Sequence, residues 1–248
     1  MTKQENDMHE NPPVITKFFK SEDLKYYEKG NFRIGTLQYY RKAENVLEMG
    51  ARHDQNEGVE KNIISGIILP NSTSQYYRGI HIVKSSVVFD KCVSHKEADA
   101  HIFCASKGSY SKDQHKVMMF GDEHRYKGDK RLTHYAEINL EKFIDALADI
   151  IVHNLDRIKI KNGLEIKIHD VIYSDDVNKI YLTGTLPKEK GINLETLTTK
   201  ATIFTPENET RILIAGPNNQ LAEEPIEPFN ISSDALKDSI IRIDSWAE

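Results

Sequence analysis

"TPENETRILIAG", residues Thr205 to Gly216, passes from a polar and charged stretch straight into an apolar run that ends at a glycine followed by Pro217. If this stretch is extended, successive side chains alternate faces, so Glu207, Glu209 and Arg211 share one side and Asn208 and Thr210 the other. Pro206 cannot donate to a central ladder, which predicts that the strand starts at a sheet edge or mouth and enters the core at Ile212. The two carboxylates are then expected at a rim. At next-neighbour spacing on one face they repel, and Arg211 is the expected partner. Taken alone, the stretch reads as an edge strand carrying a solvated ion pair worth about 0.5 kcal/mol.

Working outward, the surrounding pattern predicts a sheet. "VITKFF", "NFRIGTL", "NIISGIIL", "GIHIVKSSVVF", "HIFCAS" and "LEIKIHDVIYS" are apolar or β-branched runs bounded by Asn, Pro, Gly or Ser. "SEDLKYYEKG" reads as a brief helix capped by Ser21 and stopped by Gly30. "NLEKFIDALADIIVHNL" is the clearest helix, with Asn139 as cap and Phe143, Leu147, Ile150, Ile151 and Leu155 at three- and four-residue steps. "SDDVNKIYLTG" reads as a helix or turn, and "SSDALKDSIIRI" as a closing strand or helix. Helices and strands do not alternate regularly, which argues against a doubly wound parallel sheet. The expected fold is α+β, with a mixed, mostly antiparallel sheet and one packed amphipathic helix. Residues 14–248 are expected to form a single domain, preceded by a flexible polar leader, residues 1–13, that ends in Pro12 and Pro13.

Composition narrows the functional classes. Against 33 Lys and Arg stand 38 Asp and Glu, a formal charge of -5 in 248 residues, so no global attraction to nucleic acid or to an anionic membrane is expected. The longest apolar runs fall short of the roughly 20 residues a membrane helix needs, and the polar start lacks the features of a signal peptide. Both readings, with only Cys92 and Cys104 present, predict a cytoplasmic protein whose two thiols are buried. The ten histidines include no metal-binding pair, and no metal is expected.

Three polar stretches carry the functional expectation. "FRIGTLQYYRKAENVLEMGARHDQNEG" sets Arg33 in a strand, then Tyr39, Tyr40 and Arg41, then Arg52, His53, Asp54 and Glu57. That is more charge and aromatic surface than a turn requires, although Asp54 and Glu57 could equally cap backbone N–H groups there. "HIFCASKGS" ends a strand at Ser106 in small residues that let a ligand approach the backbone. From Ser106 to Arg131 the chain is polar and Gly-rich, and reads either as a mobile flap over a site or as a solvated excursion. Within it, Tyr110 and Tyr126 are interleaved with Lys and Arg, a pattern that could hold a single nucleic-acid strand, diluted by Asp113, Asp122, Glu123 and Asp129.

The order of these motifs resembles a large uncharacterised family of bacterial and phage proteins, in which an early polar element is followed by a Cys-x-Ser strand and a late Lys, aromatic, Glu-x-Glu-x-Arg strand. Here Lys200, Phe204, Glu207, Glu209 and Arg211 fall in that order, and Cys104 and Ser106 match the middle strand. "RHDQNEG" departs from the family's Asn-Asp-Pro core, which marks a divergent branch. The architecture is distantly similar to ADP-ribosyltransferases, with Arg33, Ser106 and Glu209 at the three strand positions. That resemblance implies NAD as substrate, without a metal, and transfer to a macromolecular acceptor in phage defence or counter-defence. Glu209 would stabilise the ribosyl cation, and Glu207 would position or deprotonate the acceptor. Arg33 and Ser106 would hold the nucleotide, together with Tyr40, Arg52, Asp54 and Glu57. The alternative is a module of a defence system that binds a nucleotide or a protein without catalysis.

Overall fold

The computed structural model describes residues 13–42, 59–64, 75–77, 80–82, 92–97, 100–123, 126–154, 158, 163–175, 179–182, 197–216 and 226–247. Of the expected leader only Pro13 is described, and the Arg52, Asp54 and Glu57 cluster lies outside the described residues. In chain order the strands are β1 (Val14–Phe19), β2 (Asn31–Thr36), β3 (Val59–Ile64), β4 (Gln75–Tyr77), β5 (Ile80–Ile82), β6 (Cys92–Glu97), β7 (His101–Lys107), β8 (His134–Asn139), β9 (Glu165–Asp170), β10 (Ile172–Tyr173), β11 (Lys179–Leu182), β12 (Thr199–Lys200), β13 (Glu209–Ala215), β14 (Phe229–Ser232) and β15 (Ile240–Ser245). The helices are α1 (Leu24–Tyr27), α2 (Leu37–Lys42), α3 (Lys112–Phe120), α4 (Leu140–Val152) and α5 (Asp234–Asp238). The expected α+β class with a mostly antiparallel sheet is what the chain adopts.

The main sheet runs β14, β2, β7, β1, β8, β15, with β13 on the far side of β7 and β9 beyond it, all antiparallel. β7 is the pivot. Along one edge it pairs with the whole polar-to-apolar strand, from Glu209 opposite Ser106 to Ile214 opposite His101. Its other edge is divided: β2 bonds to His101 and Ile102, β1 bonds to Ser106 and Lys107, and the two strands diverge between. The Lys17 ammonium reaches into that gap and donates to the Cys104 carbonyl at 2.6 Å.

The two faces of this sheet differ. One carries Ile15, Phe32, Ile34, Phe103, Ala105, Ile138, Ile212 and Ile214, covered by α4 through Phe143, Ala146, Leu147 and Ile151. α4 begins as its sequence predicts, the Asn139 side chain accepting from Lys142 N. The opposite face holds two smaller apolar clusters. One joins Phe18, Met118, Met119, Tyr126, Leu132, Tyr135 and Phe204, and the other Leu37, Ala100, Ile102, Leu197 and Leu213. Polar side chains occupy the sheet between those clusters.

Several expectations are corrected. Ser21 opens a short 3-10 turn instead of capping a helix, because Lys20 stands at the cap position with no side-chain bond. Gly30 does end the α1 region, at φ +64°. "SDDVNKIYLTG" supplies β11, paired in parallel with β3, since its Lys-Ile-Tyr-Leu run finds a strand partner that is distant in sequence. The polar excursion after Ser106 is not a solvated loop. It contains α3, capped by the Ser111 side chain on Gln114 N, and buries His115, Met118, Met119 and Tyr126. Its apolar groups, spaced among charges, meet a partner surface only in three dimensions. Tyr126 is 3% exposed and Tyr110 stacks on Tyr135 at 3.8 Å, so both rings serve packing instead of being presented to a nucleic-acid strand. Cys104 is half-buried, whereas the sequence predicts a buried thiol.

Candidate functional site

Arg211 projects from β13 on the face opposite α4, level with Cys104 of β7. A charge in that position is tolerable only if it is paired. Its Nε donates to Glu209 Oε1 at 2.6 Å and its Nη1 to the Leu197 carbonyl at 2.6 Å. The second oxygen of Glu209 accepts from Lys200 Nζ at 2.8 Å, and the same ammonium donates to Glu207 Oε2 at 2.6 Å. Lys200 also lies 4.9 Å from the centre of the Phe204 ring. Two carboxylates and two cations therefore interlock in one buried chain, Glu207 to Lys200 to Glu209 to Arg211. Every member of the late motif has a place in it.

This arrangement overturns the simple reading of the stretch in three respects. β13 begins only at Glu209. Glu207 closes a 3-10 turn, Thr202–Glu207, and Asn208 turns the chain through a left-handed conformation at φ 42°. The two carboxylates are thus not neighbours in one pleat, and what brings them together is Lys200. They do not stand at a solvated rim: Glu207 is 8% exposed, Glu209 6%, Lys200 5% and Arg211 0%. Nor is β13 an edge, since β7 and β9 flank it. Pro206 acts earlier, inside the turn, where no ladder bond is needed.

The electrostatics follow from the pairing. Burial opposes the ionised form of Glu209, but the Arg211 guanidinium and the Lys200 ammonium outweigh it and hold its carboxyl well below the usual carboxylate range. Glu209 N donates to the Tyr173 hydroxyl at 2.7 Å. Burial, and then the negative charges of Glu209 and Glu207, push the Tyr173 phenol up and keep it protonated.

Beside this network a cleft of about 660 Å³ opens where β1 and β2 part. Glu207, Glu209, Lys200 and Ser106 line its floor, and Arg33, Tyr39, Tyr40 and Tyr26 line its side toward β2 and α1. Arg33 precedes by two residues the Gly35 that pairs with Ile102, so it lies on the same sheet face as Ser106 and Glu209. Its guanidinium rests 4.5 Å from the centre of the Tyr39 ring. The hydroxyl end of the Tyr40 ring comes close to β2 at Gly35. A Cβ there would stand 2.7 Å from the Tyr40 ring, so only glycine lets that ring form the wall. Arg131, held by Asp129 through Nε at 2.9 Å, closes another side.

Of the residues singled out from the sequence, the structure brings Arg33, Tyr40, Ser106, Glu207 and Glu209 to one cleft. The Ser106 hydroxyl donates to the Glu207 carbonyl at 2.7 Å and so secures the turn. Lys200 is the group whose importance sequence reasoning understates. Its spacing from Glu207 and Glu209 is the available signal, but only the turn shows that one ammonium serves both. Tyr173, Gln114 and Arg131 carry no motif and emerge from the fold alone. Compared with known proteins, the chain matches no family model, no curated protein and no solved structure.

Proposed function

We propose that the cleft binds a nucleotide of the NAD class and that the chain transfers its ADP-ribosyl group to a macromolecular acceptor. One observation carries this reading: Arg33, Ser106 and Glu209, from three stretches distant in sequence, share one sheet face beside an open cleft, and a turn brings Glu207 to the same cleft. The parts of the cleft suit the parts of such a ligand. Arg33 among Tyr26, Tyr39 and Tyr40 offers a cation for a phosphate and rings for a base. The carboxylate floor suits ribose hydroxyls, which donate to oxygens that retain accepting lone pairs. In the transfer, the bond between nicotinamide and ribose C1′ breaks with its electron pair leaving on the nicotinamide nitrogen. An acceptor nucleophile then bonds to C1′ and gives up its proton, for which Glu207 is the proposed base. The role in phage defence or counter-defence belongs to this same proposal.

A second reading, nucleotide binding without turnover, is favoured by the pairing of Glu209. Its oxygens face Arg211 and Lys200, and the four-group chain is formally neutral. That weakens the field available to a developing ribosyl cation. Glu209 and Glu207, both paired with Lys200, then shape the floor of a binding cleft.

Titration calorimetry with ADP-ribose and with NAD, together with chromatography of nicotinamide released in a cell lysate, separates the readings. Binding with nicotinamide release that Glu207→Gln abolishes supports transfer. Binding without release supports the module. No binding of either nucleotide removes both.

A further inference from the structure

Glu207 reaches Lys200 from a turn and not from the sheet, so its direction depends on whatever fixes that turn. Ser106 holds its carbonyl from β7. A second donor to the same carbonyl comes from α3: Gln114 Nε2 stands 3.0 Å from Glu207 O and 3.3 Å from Pro206 O. Farther along the same excursion, the buried Tyr126 hydroxyl lies 3.4 Å from Glu207 Oε1 and 3.4 Å from the Met118 sulfur. The corner is locked beyond these contacts, with Lys107 N donating to Asn208 O at 2.8 Å and Asn208 N to Thr205 O at 3.0 Å. Asn208, of a residue type that adopts the left-handed region readily, makes the corner these anchors hold.

We infer that Gln114 and Tyr126 are positioning residues for Glu207, and that the excursion between β7 and β8 is the element that aims this carboxylate at Lys200 and the cleft. Gln114 acts through the main chain and Tyr126 through the carboxylate itself. The excursion is then part of the site, fixed to it from the side opposite the strands. Its bearing on ligand rests on the nucleotide reading above. Its bearing on the Glu207 to Lys200 pair does not.

The test has one arm without ligand and one with it. In the first, urea denaturation is followed for the full chain, Gln114→Leu, Glu207→Gln and the double variant. Leu keeps most of the side-chain volume and removes both donors. If Gln114 aims the carboxylate, its loss already weakens the pair, and the drops in midpoint are less than additive. A merely structural anchor leaves them additive, and that result overturns the inference. Tyr126→Phe, which keeps the buried ring, repeats the cycle should Gln114→Leu fail to fold. In the second arm, ADP-ribose affinity falls about tenfold in Gln114→Leu, the scale of one well-made hydrogen bond, and changes little when the substitution is made in Glu207→Gln. An undiminished loss in the Glu207→Gln background also overturns the inference. Non-additive stabilities in a chain that binds no ADP-ribose uphold the positioning and discard the nucleotide reading.

Discussion

Lys200 is the residue on which the buried network turns. It bridges carboxylates at 2.6 and 2.8 Å, so removing it leaves two largely buried like charges without the cation between them. Breaking a buried pair by deleting one partner costs about 3–5 kcal/mol, because the remaining charge is uncompensated. Lys200→Met is therefore expected to lower the denaturation midpoint severely, and addition of Glu207→Gln to recover part of the loss. A double variant no more stable than Lys200→Met alone would contradict the bridging role. The pH dependence has a definite sign. The folded chain holds the Glu209 carboxyl below its unfolded value, so the pair's stabilisation is complete above the unfolded carboxylate range, near pH 4.3. It is lost as pH falls through the lower folded value. Thermal melts from pH 6 down to pH 3 should show a steep decline that flattens in Glu209→Gln.

At the scale of elements, the cleft exists because β1 and β2 share an edge of β7 and then part. Gly35 sits opposite Ile102, at the β2–β7 pairing next to the gap, and the Tyr40 ring of α2 comes against it. Gly35→Ala places a methyl group within 2.7 Å of that ring, and the ring or the strand must move. Overpacking of this kind costs about 1–3 kcal/mol. The loss should shrink when Tyr40→Ala is added, since the obstructing ring is then gone. Equal losses in both backgrounds, read from denaturation midpoints, would show that Tyr40 does not lie on the glycine in solution. The strand run at Arg33 is legible from its sequence, and so are "HIFCAS" and the apolar half of β13, because alternation and β-branching are local properties. The division of the β7 edge is not, for it depends on which of two distant strands wins each part of the same ladder.

Across the whole molecule, the sheet presents an apolar face to α4 and, on its reverse, a polar gap between two smaller clusters. Among the described residues no helix is long and apolar enough to cross a membrane. Packing of α3 through His115, Met118 and Met119 makes the excursion part of one cooperative structure. Hydrogen exchange should then show α3 amides protected to a degree approaching β13, instead of exchanging at the rate of a surface loop. Rapid exchange throughout residues 112–120 would mean that the helix opens independently of the sheet.

The sequence by itself determined the α+β class, the capped helix from Leu140 and the core strands, since each follows from periodicity and local capping within a short window. Alternation also grouped Glu207, Glu209 and Arg211, and resemblance to the late Lys, aromatic, Glu-x-Glu-x-Arg motif added Lys200. Tertiary structure alone decided that Glu207 leaves the strand through a 3-10 turn and that Lys200 joins both carboxylates. It alone decided that a polar, Gly-rich excursion contains a helix that buries one face and holds that turn. The physical reason is common to these cases: a charge chooses its partner, and a short amphipathic segment its surface, by desolvation and distance in space, and neither quantity is written in the neighbouring residues.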